Sequence, residues 1–501
     1  MRSLTMTAVG AVLALTAGTA YAQDRNVTIV LSEELELVDP CMASQSNIGR
    51  VVLQNIAETV TELVPGEGLQ PRLATSWEDR GDGTWRFNLR EGVKFSDGSD
   101  FTAADVAHSI ARTINNDALV CEIGAKYFGG MELTTNVVDD TTLDVTVDPP
   151  QPILPLLMST LTVVPEDAPM DSYVTTPVGT GPYTFDEYNR GQNIKLSANN
   201  DWWAQSPEVT GATYVFRADS AVRAAMVETG EAEIAPNISV QDATNPDTDF
   251  SYPNSETVYI RIDVGNPPLD DKRVREALNL AIDREAFLGT IMPDGTELAS
   301  AINVPTTLGS NPDIKPYAYD PDRARTLLEE AKADGVDTGA EIELIGRTNN
   351  FGNVLETLEA IQSMLQDVGF NIDLQMYEVA EWIDIYSKPF AEDRKPQLFT
   401  AMHDNANGDP VFSMYFKYHS DGLQSAIEDP KVDELITKAT AATGDERAAL
   451  WSELFAYLQE DVISDIMLFH MVGFSRVSDT IDFKPTIRTN SELQLSQISF
   501  K

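Results

Sequence analysis

Between residues 274 and 401 the chain alternates amphipathic helices with short strands, and that alternation restricts the architectures open to it. Apolar residues at helical spacing predict helices over residues 274–287, 322–332 and 353–368. Residues 341–345, 371–377 and 397–401 lie between or after them and read as strands. Strand–helix–strand order of this kind builds a parallel sheet covered by helices, so an α/β fold is expected here. The first half is richer in strands. Residues 26–31 open the fold, 77–95 form a hairpin around Gly81-Asp82-Gly83, and 138–147 form a strand pair turning at Asp139-Asp140. Residues 48–63 place Val51, Val52, Ile56 and Val60 on one helical face. Thr102, followed three residues later by Asp105 and an apolar run, has capping-box spacing with Asp in the usual Glu position.

The N-terminus belongs to none of this. Arg2, an apolar stretch from Ala8 to Ala17 and Ala20-Tyr21-Ala22 before Gln23 read as a cleavable secretory signal over residues 1–22. The stretch is too short to span a bilayer. No Cys follows the small residues, so no lipid anchor is expected and the mature chain is placed free in a periplasm. No later window is apolar enough for a membrane span. At about 150 residues per domain, the remainder should form two or three lobes.

Its 79 acidic and 35 basic residues give a formal net charge of −44. Such a field repels phosphate backbones and anionic lipid, so nucleic acid is excluded as a partner. The acids are spread along the chain, which fits solubility as well as attraction of cationic ligands. The two cysteines, Cys41 and Cys121, should form one disulfide in an oxidising compartment. Catalytic signatures are missing: there is no H-E-x-x-H, G-x-S-x-G, G-x-G-x-x-G or Walker-type Gly-Lys-Ser/Thr. His108, His403, His419 and His470 lack ligand spacing, so no metal site and no cofactor are expected.

A set of phrases in fixed order carries a family resemblance. Leu73-Ala74-Thr75-Ser76-Trp77-Glu78 precedes Phe87-Asn88-Leu89-Arg90-Glu91-Gly92-Val93-Lys94-Phe95, then Asp97-Gly98 and Thr102-Ala103-Ala104-Asp105-Val106. Further on come Pro177-Val178-Gly179-Thr180-Gly181-Pro182-Tyr183, Asn200-Asp201-Trp202-Trp203, Arg273-Val274-Arg275, Ala281-Ile282-Asp283 and Tyr319-Asp320-Pro321. This order resembles the family 5 periplasmic solute-binding proteins of the oligopeptide, dipeptide and nickel type. The resemblance implies a two-lobed, type II-like periplasmic binding protein fold with an extra inserted subdomain and a ligand cleft between the lobes. The first lobe is expected over residues 23–262, its inserted subdomain over about 65–175, and the second lobe over 263–483. Residues 484–501 are expected to return to the first lobe. The implied function is the substrate-binding component of an ABC importer, a monomer that captures a peptide or peptide-like compound and delivers it to an inner-membrane permease. Opines, sugars, metal chelates and haem remain alternative ligands. A secreted hydrolase is the rival from another class, and no catalytic motif supports it.

The same resemblance nominates site residues. Arg347, just past a strand, matches an arginine that holds the ligand's carboxylate in dipeptide-binding relatives; its planar fork suits two oxygens. A structural role for it stays open. The segment His403-Asp404-Asn405-Ala406-Asn407-Gly408-Asp409-Pro410 is similar to a family loop whose aspartate pairs with a peptide's amino terminus. Anchored on Gly408-Asp409-Pro410, that aspartate's place is taken by Ala406, and a two-residue shift brings in Asp404, which equally fits an Asx turn. His403, Asn405 and Asn407 are candidates in the same segment. Ser44, Gln45, Ser46 and Asn47 follow the first strand in a region that lines the family's cleft. Trp382, Phe412 and Tyr415 fit either aromatic cover for an apolar ligand group or core. Gly179, Gly181 and Pro182 read as a tight strand reversal.

Overall fold

Two long strands, Asp249–Ile262 and Asp465–Val477, run antiparallel through the middle of one eleven-stranded mixed sheet. The computed structural model describes residues 25–43, 49–64, 67–116, 118–128, 131–148, 150–348, 350–405, 408–486 and 493–501, the side chains of 125, 126, 380 and 412 excepted. On one flank of the crossing strands lie, in order, Ile234–Ala235, Asn26–Leu31, Gly211–Phe216, Asn193–Ala198 and Tyr183–Asn189. On the other lie Gln397–Asp404, Glu341–Arg347 and Asn371–Tyr377. Glu341–Arg347 is parallel to both of its neighbours, as the alternation of strands and helices predicts. Their connecting helices, Val354–Val368 among them, bury Leu358, Ile361 and Leu365 against Leu344, Ile372 and Leu398.

Each flank has its own core. Ile29, Tyr183, Ile194 and Tyr214 anchor the first; Val258, Ile260, Leu344 and Ile466 anchor the second. A separate antiparallel sheet, ordered Ala74–Gly81, Thr84–Leu89, Thr142–Asp148, Glu132–Asp139, packs Phe87, Leu143 and Val145 into the first core. Helix Ala103–Thr113 lies against it and starts at the expected capping box. The Thr102 hydroxyl accepts from Ala104 N, and the Asp105 carboxylate accepts from Thr102 N at 2.7 Å. Leu493, Leu495 and Ile498 bring the C-terminal residues back onto the same core. Many acids serve as helix caps: Asp219, Asp271, Asp320 and Asp429 each accept a backbone N–H of a first turn.

Three expectations need correction. Residues 48–63 do not form one helix: Val51–Leu53 is a single turn, and Thr61–Val64 is a strand. The carbonyls of Asn55 and Ile56 accept from Tyr183 N and Gly181 N instead of continuing a helix, and apolar residues are buried on every side of the segment. The helix expected over residues 274–287 ends at Leu280, where the Arg284 guanidinium takes the carbonyls of Asn279, Ile282 and Met467. The last strand of the parallel set runs to Asp404, so His403 and Asp404 are strand residues and not loop residues.

Candidate ligand-binding cleft

The pairing of the crossing strands shifts register at two places, by one residue between Val258 and Tyr259 and more widely between Pro253 opposite Val472 and Thr257 opposite His470. Such a break bends a strand and re-aims its side chains. Asn254 and Glu256 occupy the wider break and line a cavity of about 710 Å³, a size typical of small-molecule sites. Ser32, Ser220 and Asn237 from the first flank and Asn350 and Asn353 from the second form facing walls. The three strands of the second flank run parallel, and residues near the carboxyl ends of two of them line this cavity, Met402 in Gln397–Asp404 and Asn350 just after Glu341–Arg347, where open α/β sheets place their ligand groups.

Arg347 is the final residue of its strand and not, as expected, two positions beyond it. Its side chain is half-buried, with its charge near Glu256 and, across the gap, Glu33. Burial pulls its pKa below the usual guanidinium value, an effect those two carboxylates oppose. The guanidinium carbon sits 5.7 Å from the Trp382 ring centre, and its Nε is buried with no hydrogen-bond partner. Trp382 in turn stacks on Tyr386 at 4.4 Å, so the aromatic pair fixes the floor beneath the arginine. Asn350, three residues on, is buried with its Nδ2 lacking an acceptor. Sequence reasoning missed Asn350, Asn254 and Glu256, because only the fold brings a strand-end loop to a mid-strand break.

Asp404 accepts from Ser255 Oγ at 2.6 Å and pairs with Arg50 Nη2 at 3.2 Å. Arg50 precedes the turn Val51–Leu53 of the first core, so this ion pair joins the first core to a strand of the second flank. His403 shares its Nε2 with the Ser413 hydroxyl. Asn405 is buried, and its amide donates to Ser255 O and Ile302 O, both at 3.1 Å, bracing the segment. Asp409 accepts from Arg447 at 2.7 Å. Tyr415 is 51% exposed and stacks on His419. Among the described residues, Asn350 and Glu256 line the cavity, whereas Arg50, Arg347, Trp382, His403, Asp404, Asn405 and Tyr415 do not. Ser44, Gln45, Ser46, Asn47 and Asn407, and the side chain of Phe412, lie outside the described residues. Cys41 and Cys121 are disulfide-bonded, with Cα atoms 5.3 Å apart. Among the described residues no His, Cys, Asp or Glu cluster could hold a metal ion, and no helix is long and apolar enough to cross a membrane.

Two cores joined by crossing strands, with a polar cavity where those strands bend, define a two-lobed binding protein. Residues 68–425 match the family described as "Bacterial extracellular solute-binding proteins, family 5 Middle", and the chain belongs to that family. It is 29% identical over 384 residues to the dipeptide-binding protein of Escherichia coli (strain K12), covering 70% of this chain and 69% of that one. It is also 29% identical over 393 residues to the glutathione-binding protein GsiB of the same organism, covering 75% and 74%. Among solved structures, the ABC transporter substrate-binding protein CtaP of Listeria monocytogenes shares the fold, with a TM-score of 0.81 at 20% identity over 95% of this chain and 99% of that one. Members of this family are extracellular or periplasmic binding proteins and not enzymes, and this chain is a substrate-binding receptor of an ABC importer.

Proposed function

We propose that this receptor captures a small, peptide-like ligand by its carboxylate, held on Arg347 and Asn350 in the cleft between two closing lobes. The observation that carries this reading is a pair of donors at the end of one strand, Arg347 Nε and Asn350 Nδ2, each buried and each without an acceptor. Buried donors left unmade are costly, so a ligand oxygen arriving there recovers a hydrogen bond and an ion pair together. The names of the dipeptide- and glutathione-binding relatives support a peptide-like compound, since both of those ligands end in carboxylates.

The lobes in this proposal are residues 23–262, with an inserted subdomain over about 65–175, and 263–483, with residues 484–501 returning to the first. The ligand touches both, and only its higher affinity for the closed arrangement drives closure. No bond is made or broken. The closed monomer presents both lobes to an inner-membrane permease after residues 1–22 have been removed during export. Native mass spectrometry of the protein purified from its own host tests the ligand. A co-purifying compound with a carboxylate, whose return to stripped protein compacts it in small-angle scattering, supports the reading. A bound compound with no anionic group refutes it.

A further inference from the structure

We propose that Arg50 is a specificity-determining residue: it occupies the Asp404 carboxylate and sets the cleft for ligands that bring a carboxylate but no free ammonium group to that end. The inference rests on the carboxylate reading above and adds which opposite end the ligand carries. The geometry is specific. Arg50 comes from the first core and Asp404 from the second, their side chains are 8% and 28% exposed, and Nη2 lies 3.2 Å from Oδ2. The other carboxylate oxygen takes the Ser255 hydroxyl at 2.6 Å. Asp404 is therefore satisfied by its own chain in both directions.

The rest of the segment offers no substitute. Asp409 is 93% buried at the side chain and paired with Arg447, itself 5% exposed. Ala406 stands where the ungapped family register would put an amine-binding aspartate. Glu256, the remaining acid at the strand break, accepts from Asn254 Nδ2 and shares its field with Arg347. A ligand ammonium entering here has to displace a guanidinium from a partly desolvated pair, at the expense of that pair's attraction. A ligand whose amine is blocked or absent leaves the pair intact.

Calorimetry with leucyl-leucine and N-acetyl-leucyl-leucine tests this on the wild type, Arg50→Gln and Arg50→Gln/Asp404→Asn. The wild type should bind the acetylated peptide at least tenfold more tightly than the free one. Arg50→Gln should gain at least tenfold for the free peptide, and adding Asp404→Asn should remove that gain. A wild type that binds the free peptide equally or better, or an Arg50→Gln protein without the gain while the acetylated peptide binds, overturns the proposal. A second measurement needs no ligand. Melting temperatures of Arg50→Gln, Asp404→Asn and the double variant should be non-additive; additive shifts show that the pair does not form and overturn the proposal. If no variant binds either peptide, the peptide-like ligand reading fails, and the melting cycle alone decides the role of Arg50.

Discussion

Arg112 and Asp39 form a two-pronged ion pair, Nη1 to Oδ1 at 3.1 Å and Nη2 to Oδ2 at 2.6 Å, with both side chains fully buried. The pair is knitted into the backbone around it. Asp39 also accepts from Cys41 N and Val174 N, while Arg112 donates to Pro169 O and Ser172 O. Every polar atom of this cluster is used, which is what makes two buried charges tolerable. Replacing Arg112 with Met should leave a carboxylate stranded in the core, a loss of about 3–5 kcal/mol. Chemical denaturation should show it. A shift below about 0.5 kcal/mol, the scale of an ordinary surface change, would mean the pair is not formed in solution.

The disulfide hangs from the same cluster, since the Asp39 carboxylate caps the turn that carries Cys41. It joins positions 80 apart, and closing a loop that long stabilises by about 4–5 kcal/mol in the chain-entropy account. A Cys41→Ser/Cys121→Ser protein should therefore melt several degrees lower than the oxidised wild type, and reduction should lower the wild type by a similar amount. Equal melting of reduced and oxidised wild type would refute the expectation.

Much of this was readable from the chain alone, for physical reasons that differ by element. The parallel set around residues 341–404 was legible because its helices bury one face, so their periodicity reports burial directly, and because its strands are short apolar runs between them. Residues 48–63 misled because Val51, Val52, Ile56 and Val60 are buried from all sides, and a segment without an exposed face has no period to read. Arg347 was singled out for its place at a strand end, and the strand does end there. Arg50, Asn350 and Glu256 were not singled out, because their proximity is made by the register break and by the meeting of two lobes. Periodicity within a single segment carries no record of either.

Gly179 and Gly181 show the same limit and yield a prediction. Neither has a positive φ, so the tight reversal inferred from sequence is not what demands glycine. A Cβ at Gly179 would stand 2.1 Å from Ile56 O, and one at Gly181 would stand 2.5 Å from Asn55 O. These are backbone atoms, held by the hydrogen bonds Gly181 N to Ile56 O and Tyr183 N to Asn55 O, and they cannot step aside singly. Gly181→Ala should cost on the order of 2–4 kcal/mol through overpacking, at the upper end of what extra methylenes do in cores. Circular dichroism melting of that variant beside Gly191→Ala separates crowding from conformation, because Gly191 has a φ of 73° and nothing near its Cβ. The crowded site should be the more damaging of the two.

A half-buried histidine and a buried aspartate on one crossing strand should give stability an unusual pH dependence. Burial holds His470 down to about 4, with Thr257 Oγ1 at 2.9 Å from its Nδ1, and pushes Asp465 up to about 6. The folded state thus favours neutral His470, whose contribution is complete above about pH 6.5 and lost as pH falls towards 4. It also favours protonated Asp465, whose contribution is present near pH 3.8 and lost as pH rises through 6. Each swing is about 3 kcal/mol, and the two oppose one another, so the wild type should change little between pH 4 and 6 from these groups. Removing one exposes the other: His470→Gln should grow more stable on acidification across that window, and Asp465→Asn less stable. Urea titrations at pH 4 and 6 read the sign, and parallel behaviour of the two variants would contradict it.

The strongest test of the cleft concerns Arg347. A carboxylate placed there meets a fixed charge whose Nε has no other partner and whose carbon is held over Trp382. Losing one partner of a charge-assisted contact in a closed cleft costs roughly 2–5 kcal/mol of binding, about thirtyfold or more in affinity. Arg347→Ala should therefore fold and melt close to wild type, since burial of an unpaired guanidinium stabilises nothing, yet bind the carboxylate ligand at least thirtyfold more weakly. Arg347→Lys should recover only part of the loss, because an ammonium cannot present two parallel donors. Asn350→Ala, which removes one neutral hydrogen bond, should cost about 0.5–1.5 kcal/mol, a few-fold in affinity. The expected order is thus wild type, Asn350→Ala, Arg347→Lys, Arg347→Ala, measured by calorimetry with the compound that co-purifies from the host. If Arg347→Ala binds that compound as tightly as the wild type does, the carboxylate sits elsewhere in the cleft and Arg347 serves only to pack against Trp382.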